Sequence, residues 1–138
     1  MLDRFFALIT DLTEAPHEAF GDDDYRLAAA ALLVHVMAVD GRVSASERAR
    51  IQTVLAAGFA LCAGDTERLI ERAVDVEASA DSWTSFADLL AKRLDEDGRR
   101  RIVGMMWSVV LADGAAAELE EAMVERAAAL MGVEVPLR

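Results

Sequence analysis

Two pairs of carboxylates recur at one spacing. Asp40 and Glu47 are followed, 73 residues on, by Asp113 and Glu120. Each Asp precedes a glycine, Gly41 or Gly114, and follows an apolar stretch ending Ala38-Val39 or Leu111-Ala112; Ile51 and Val124 keep the same offset. The repeated unit reads as apolar helix, Asp-Gly turn, amphipathic helix. The oxygens available at the turns are carboxylates, backbone carbonyls, the Ser44 hydroxyl in the first and water, and neither turn holds His or Cys. Such a set suits a hard divalent ion, Ca²⁺, Mg²⁺ or Mn²⁺, and not zinc. Asp40, Glu47, Asp113 and Glu120 are therefore the candidate metal ligands. The spacing is not that of an EF-hand, and one Asp plus one Glu supply few of the roughly six to eight oxygens Ca²⁺ takes. Modest affinity is expected unless the two turns converge.

A structural reading stands beside this one. Gly41 and Gly114 fall where helices often end in the left-handed conformation glycine tolerates. Ser44-Ala45-Ser46-Glu47 has the form of a capping box, so Glu47 has a local use of its own. Two features favour the ion. An Asp at a helix C-terminus is opposed by the macrodipole, by about 0.3 to 1 kcal/mol, unless a positive charge lies near. In the second unit Ala117 stands in place of Ser44, so capping alone does not account for Glu120.

Other reactive residues suggest no catalysis. His35 interrupts an apolar helical stretch and reads as a hydrogen-bonded core residue; His17 lies in a Pro-containing loop. No Ser-centred elbow, Gly-rich phosphate loop or His-Glu-x-x-His string is present. No enzyme is expected. Cys62, the one cysteine, reads as a small buried hydrophobe; it permits no internal disulfide and suits a reducing compartment. Arg99-Arg100-Arg101 follows Asp95-Glu96-Asp97, which points to local ion pairing. Trp83, Met105, Met106 and Trp107 fall at core spacing and read as packing.

The elements that must position these residues are helices. The chain has 138 residues, 54% of them hydrophobic and 28% charged, which fits one globular domain and neither a disordered chain nor a membrane-spanning one. The prolines are Pro16 and Pro136, and the stretch between them is rich in helix formers. An all-α fold of about seven helices follows. Leu27 to Val39 and Ile102 to Ala112 are apolar nearly all round, belong at the centre, and are expected to pack as a central pair. Amphipathic helices are expected around Ile51, Val54, Leu55, Phe59 and Cys62; around Leu69, Ile70, Ala73 and Val74; around Trp83, Phe86, Leu89, Leu90 and Leu94; and around Leu119, Met123, Ala127, Leu130 and Met131. Breaks fall at Gly21-Asp22-Asp23-Asp24, at Ala80-Asp81-Ser82 and at Asp95-Glu96-Asp97. Near the start, Leu2, Phe5, Phe6, Ile9 and Leu12 form one apolar stripe. It is expected to dock on the domain's own core, with a membrane surface or a partner as the alternatives. The opening residues lack the features of a secretory signal, and a cytoplasmic setting is expected. The net charge of −11 makes nucleic acid a poor partner and leaves cations and basic protein faces.

The stretch Ala38-Val39-Asp40-Gly41-Arg42-Val43-Ser44-Ala45-Ser46-Glu47-Arg48, with Leu111-Ala112-Asp113-Gly114 and Leu130-Met131-Gly132-Val133, resembles the TerB-like family, the tellurite-resistance protein B group. The likeness spans about residues 22 to 134, with residues 1–21 as a preceding helix and loop, so that 1–138 is one domain. It implies a compact all-helical bundle built on a duplicated unit, with acidic turns that bind a divalent cation in a stress-response, tellurite-resistance or regulatory assembly. A protein-interaction module with purely structural turns is the alternative. The second unit departs from the family pattern at Ala115-Ala116-Ala117, which implies a weaker second site.

Overall fold

The computed structural model describes residues 20–21, 24–38, 43–111 and 118–134. Those residues form six α-helices and no strand: α1 (Tyr25–Met37), α2 (Ala45–Phe59), α3 (Ala63–Ser79), α4 (Thr84–Arg93), α5 (Glu96–Val110) and α6 (Glu118–Leu130). The all-α expectation holds. The expected N-terminal helix around Leu2, Phe5, Phe6, Ile9 and Leu12 lies outside the described residues.

Side chains just ahead of the helices set several of their starts by taking up backbone N–H groups that the first turn leaves over. Asp24 accepts the Arg26 N–H at 2.8 Å and also holds the Arg26 guanidinium through both carboxylate oxygens. Ser44 and Glu47 form the expected reciprocal box: the Glu47 N–H donates to Ser44 Oγ at 3.2 Å, and the Ser44 N–H donates to Glu47 Oε1 at 2.8 Å. Asp95 accepts the Gly98 N–H at 2.9 Å. At α3 the cap is Cys62, whose Sγ accepts the Asp65 N–H at 3.4 Å. Cys62 is exposed and is not the buried hydrophobe its composition suggested. The reason is local: α2 stops at Phe59, Ala60 takes a left-handed conformation (φ 53°), and Cys62 already belongs to the start of the next helix. Gly132 (φ 71°) closes α6 in the same way, with the Val133 N–H reaching back to the Ala128 carbonyl at 2.9 Å.

Packing is organised round α1, which touches all five other helices. Leu27 to Val34, Val36 and Met37 are all buried. Ala28 to Ala31 point successively to different sides of the helix. Their small side chains let neighbours approach from each side, while alanine's high helix propensity keeps the run helical. α1 packs most extensively on α3 and α4. It also packs on α5, as expected of the two apolar helices, but α5 is not enclosed on every side. Ile102, Val103, Met105, Met106, Trp107, Val109 and Val110 face inward, while Gly104, Ser108 and Leu111 line an exposed edge at spacings of four and three. On α6 the buried stripe is Val124, Ala127 and Ala128, continued by Met131 beyond the helix; Leu119 (64% exposed) and Leu130 lie outside it, contrary to the sequence expectation. Small residues face the bundle there, so side-chain size was a poor guide to the phase of the helix.

The Asp24 carboxyl is pushed up by partial burial. The hydrogen bonds from Arg26 and the charges of Arg26 and Arg93 outweigh that push and hold it below its ordinary value. A carboxyl so lowered stabilises the fold above its unfolded-state pKa and loses that contribution as pH falls through the folded value. Asp24→Asn keeps a good cap residue but removes the charge. Urea titrations should show the variant less stable than wild type at neutral pH, with the gap closing below about pH 4. A gap independent of pH would show that the ion pair contributes nothing.

The core also predicts a contrast between two leucines. Leu33→Ala, at a fully buried site, should cost about 2 to 5 kcal/mol. Leu119→Ala should stay within about 0.5 kcal/mol of wild type. Because the apolar contacts involve no ion, exhaustive chelation should leave the far-UV circular dichroism helical.

Candidate functional site

The duplicated unit keeps its register in three dimensions. α1 ends at Met37 and α5 at Val110, and α2 begins at Ala45 and α6 at Glu118, so both boundaries are separated by the same 73 residues. The residues that close the first helices have nearly the same backbone, Ala38 at φ −95° and ψ 15°, Leu111 at φ −95° and ψ 4°. α1 packs on α2 as α5 packs on α6, and each first helix also meets the second helix of the other unit.

Glu47 and Glu120 therefore occupy the third position of equivalent helices. Glu47 is half-buried, and its Oε1 is used by the capping box. Glu120 shares the first turn of α6 with Glu118 and Glu121, where negative charge is favourable to the helix dipole. Asp40 and Asp113 lie outside the described residues, each three positions beyond the last residue of its apolar helix. Among the described residues no three His, Cys, Asp or Glu side chains come together in a metal-holding group. Glu47 is thus a helix cap, three residues into α2.

His35 is held as expected of a packed histidine. Its Nδ1 lies 2.9 Å from Glu77 Oε2 on α3, and its ring stacks on Trp83 with centroids 5.4 Å apart. Trp83 itself stands just ahead of α4 and is half-buried. The arginine triplet behaves differently from expectation. Arg100 pairs locally, with Glu96 at 2.7 Å and Asp97 at 3.8 Å. Arg99 instead donates to the Ala91 and Leu94 carbonyls at the end of α4, and Arg101 to the Gly58 carbonyl near the end of α2 at 2.6 Å. The ends of those helices carry unpaired carbonyls and negative partial charge, which draw guanidinium groups in preference to neighbouring acids.

A consequence not legible in the sequence is a cleft of about 750 Å³ where α1 and α5 begin and α2 and α4 end. Arg26, Arg93 and Arg101 line it with Asp24, beside Tyr25 and Phe59. The two rings meet edge to face, with centroids 5.9 Å apart. Arg93 and Arg101 come from consecutive helices and Arg26 from a third, far earlier in the chain, so no local motif announces it.

No curated protein matches the chain. Among solved structures, a protein of unknown function from Porphyromonas gingivalis W83 has a similar fold, with a TM-score of 0.66 at 15% identity over 86% of this chain and 90% of that one. The sequence matches the family described as tellurite resistance protein TerB over residues 26–135, which takes in the six described helices but for Tyr25 at the start of α1, and the Gly132 cap. The chain belongs to the TerB family.

Proposed function

We propose that this TerB domain is a non-enzymatic module that binds a divalent cation, Ca²⁺, Mg²⁺ or Mn²⁺, at its acidic inter-helix turns. It does so within a cytoplasmic stress-response, tellurite-resistance or regulatory assembly, through a protein partner still to be identified. Asp40 and Glu47 would hold the ion in the first unit, Asp113 and Glu120 in the second. The supporting observation is the shared register of the two units. A backbone that repeats its helix ends puts Glu47 and Glu120 in equivalent places, each seven residues after an Asp that follows the end of an apolar helix. A cation there offsets the carboxylates and complements the negative end of the preceding helix. The ion would organise an acidic surface that a basic protein face then reads, in keeping with the net charge of −11. The lone thiol, unable to form an internal disulfide, fits a reducing setting.

The second reading, an interaction module with purely structural turns, draws on the Ser44–Glu47 box, which gives Glu47 a complete role without any ion. Melting curves of chelator-treated protein separate the two. With added divalent ion the wild type should gain RT ln(1 + [L]/Kd), about 1.4 kcal/mol at ten times Kd. Asp40→Asn should lose most of that gain. Glu47→Gln keeps an oxygen for the Ser44 N–H, so it should melt near wild type without ion and still respond less to it. Asp113→Asn should have the smaller effect, because Ala115-Ala116-Ala117 leaves its turn poorer in ligands. Equal ion-induced shifts in all four proteins would assign the turns a structural role. On that reading Asp40→Asn is neutral or slightly stabilising whether or not ion is present.

A further inference from the structure

We propose that the groove between α3 and α4 is the seat of this chain's own residues 1–12, which lay the stripe Leu2, Phe5, Phe6, Ile9 and Leu12 into it. The inference stands apart from cation binding at the turns. α3 and α4 each pack extensively on α1 but scarcely on each other. Between them lies a groove of about 380 Å³. Leu27 and Ala28 of α1 line it, with Val76 from α3 and Phe86 and Leu89 from α4. Val76, Phe86 and Leu89 are only half-buried, although each packs against the core. Two helices held apart on a third leave room for one more amphipathic helix, whose apolar face covers what they do not.

The occupant follows from where the described chain begins. Phe20 is buried, with the Arg26 guanidinium 4.9 Å from the centre of its ring. Its carbonyl accepts from Arg72 Nε at 3.1 Å, and Arg72 also lines the groove. The chain ahead of Phe20 therefore sets out from the groove wall. Residues 13–19 link the stripe to Phe20; extended, they reach about 25 Å, whereas the α3 wall from Arg72 to Ser79 is about 10 Å long. Pro16 in that link favours a break between the stripe and α1. So short a link gives the stripe an effective concentration in the millimolar range, which favours it over a second copy in dilute solution. Phe86 offers a ring for Phe5 and Phe6 to pack on. The groove between α2 and α5, lined among the described residues by Ala49, Arg50, Thr53, Val54 and Ser108, offers no ring and only Val54 as a large apolar side chain. The TerB match begins at residue 26, so the stripe is carried outside the matched residues.

Hydrogen exchange of the full chain in chelator, read by mass spectrometry, tests this apart from any ion at the turns. Docking at an effective concentration about ten times its dissociation constant protects the covered helices by about that factor. Phe5→Asp combined with Phe6→Asp should therefore speed exchange in α4 and in residues 72–79 of α3 by about tenfold, and leave α2 and α5 unchanged. Thr10→Asn, off the stripe, should exchange as wild type, and the protection should not vary with protein concentration. In methyl-labelled wild type, nuclear Overhauser contacts should join the Phe5 and Phe6 rings to the methyls of Val76 and Leu89. Circular dichroism confirms that each variant is folded, and the wild-type contacts decide the matter if the double variant is not. Unchanged exchange in the double variant, acceleration centred on other helices, or absence of those contacts would overturn the proposal. So would protection that grows with protein concentration, which would give the groove to a second copy.

Discussion

A helix without a polar face has to be covered on every side, and the enclosure of α1 is the constraint on which the rest of the bundle depends. From Leu27 to Val34 no side chain offers water anything, so α3 and α4 carry most of the cover and α2, α5 and α6 complete it. The alanines at 28 to 31 make this possible, since five neighbours cannot crowd one helix whose side chains are all large. The two units share this arrangement: α1 and α5 end with nearly the same backbone, and α2 and α6 begin 73 residues apart.

Charge in this acidic chain is organised by helix ends as much as by ion pairs. Asp24, Ser44 and Asp95 meet leftover N–H groups at helix starts, while Arg99 and Arg101 meet leftover carbonyls at helix ends. Arg72 does the same for the chain ahead of α1, donating to the Phe20 carbonyl at 3.1 Å. Four helix ends converge at one place, and Arg26, Arg93 and Arg101 line the cleft between them with Asp24.

Much of the fold was legible because its signals are local. The apolar run of α1, the Ser44–Glu47 box, the breaks at Asp24 and Asp95 and the 73-residue repeat all lie in short stretches of chain. The misreadings share a cause, which is that burial is decided by neighbours. Gly104, Ser108 and Leu111 sit on a side of α5 that none of the described helices covers, and Ala127 and Ala128 displace Leu119 and Leu130 from the inner face of α6. Cys62 keeps the spacing of a core residue but stands beyond the last turn of α2, where Ala60 reverses the backbone. Of the candidate ligands, the structure brings out the equivalence of Glu47 and Glu120, while Asp40 and Asp113 fall outside the described residues. The arginine cleft had no motif in the sequence: Arg93 and Arg101 flank one helix break, and only the fold brings Arg26 to them.

The central place of α1 bears on how the chain comes off the ribosome. Among the described helices α1 precedes all those that shelter it, and its principal cover, α3 and α4, is made only after α2 is complete. During synthesis this most apolar of the described helices therefore emerges ahead of its cover and is among the last to be fully enclosed, a span in which exposed surface invites misassociation. The first helix-turn-helix unit, although duplicated in design, is not an independent folding unit: translation has to pass both linking helices before either copy has a core.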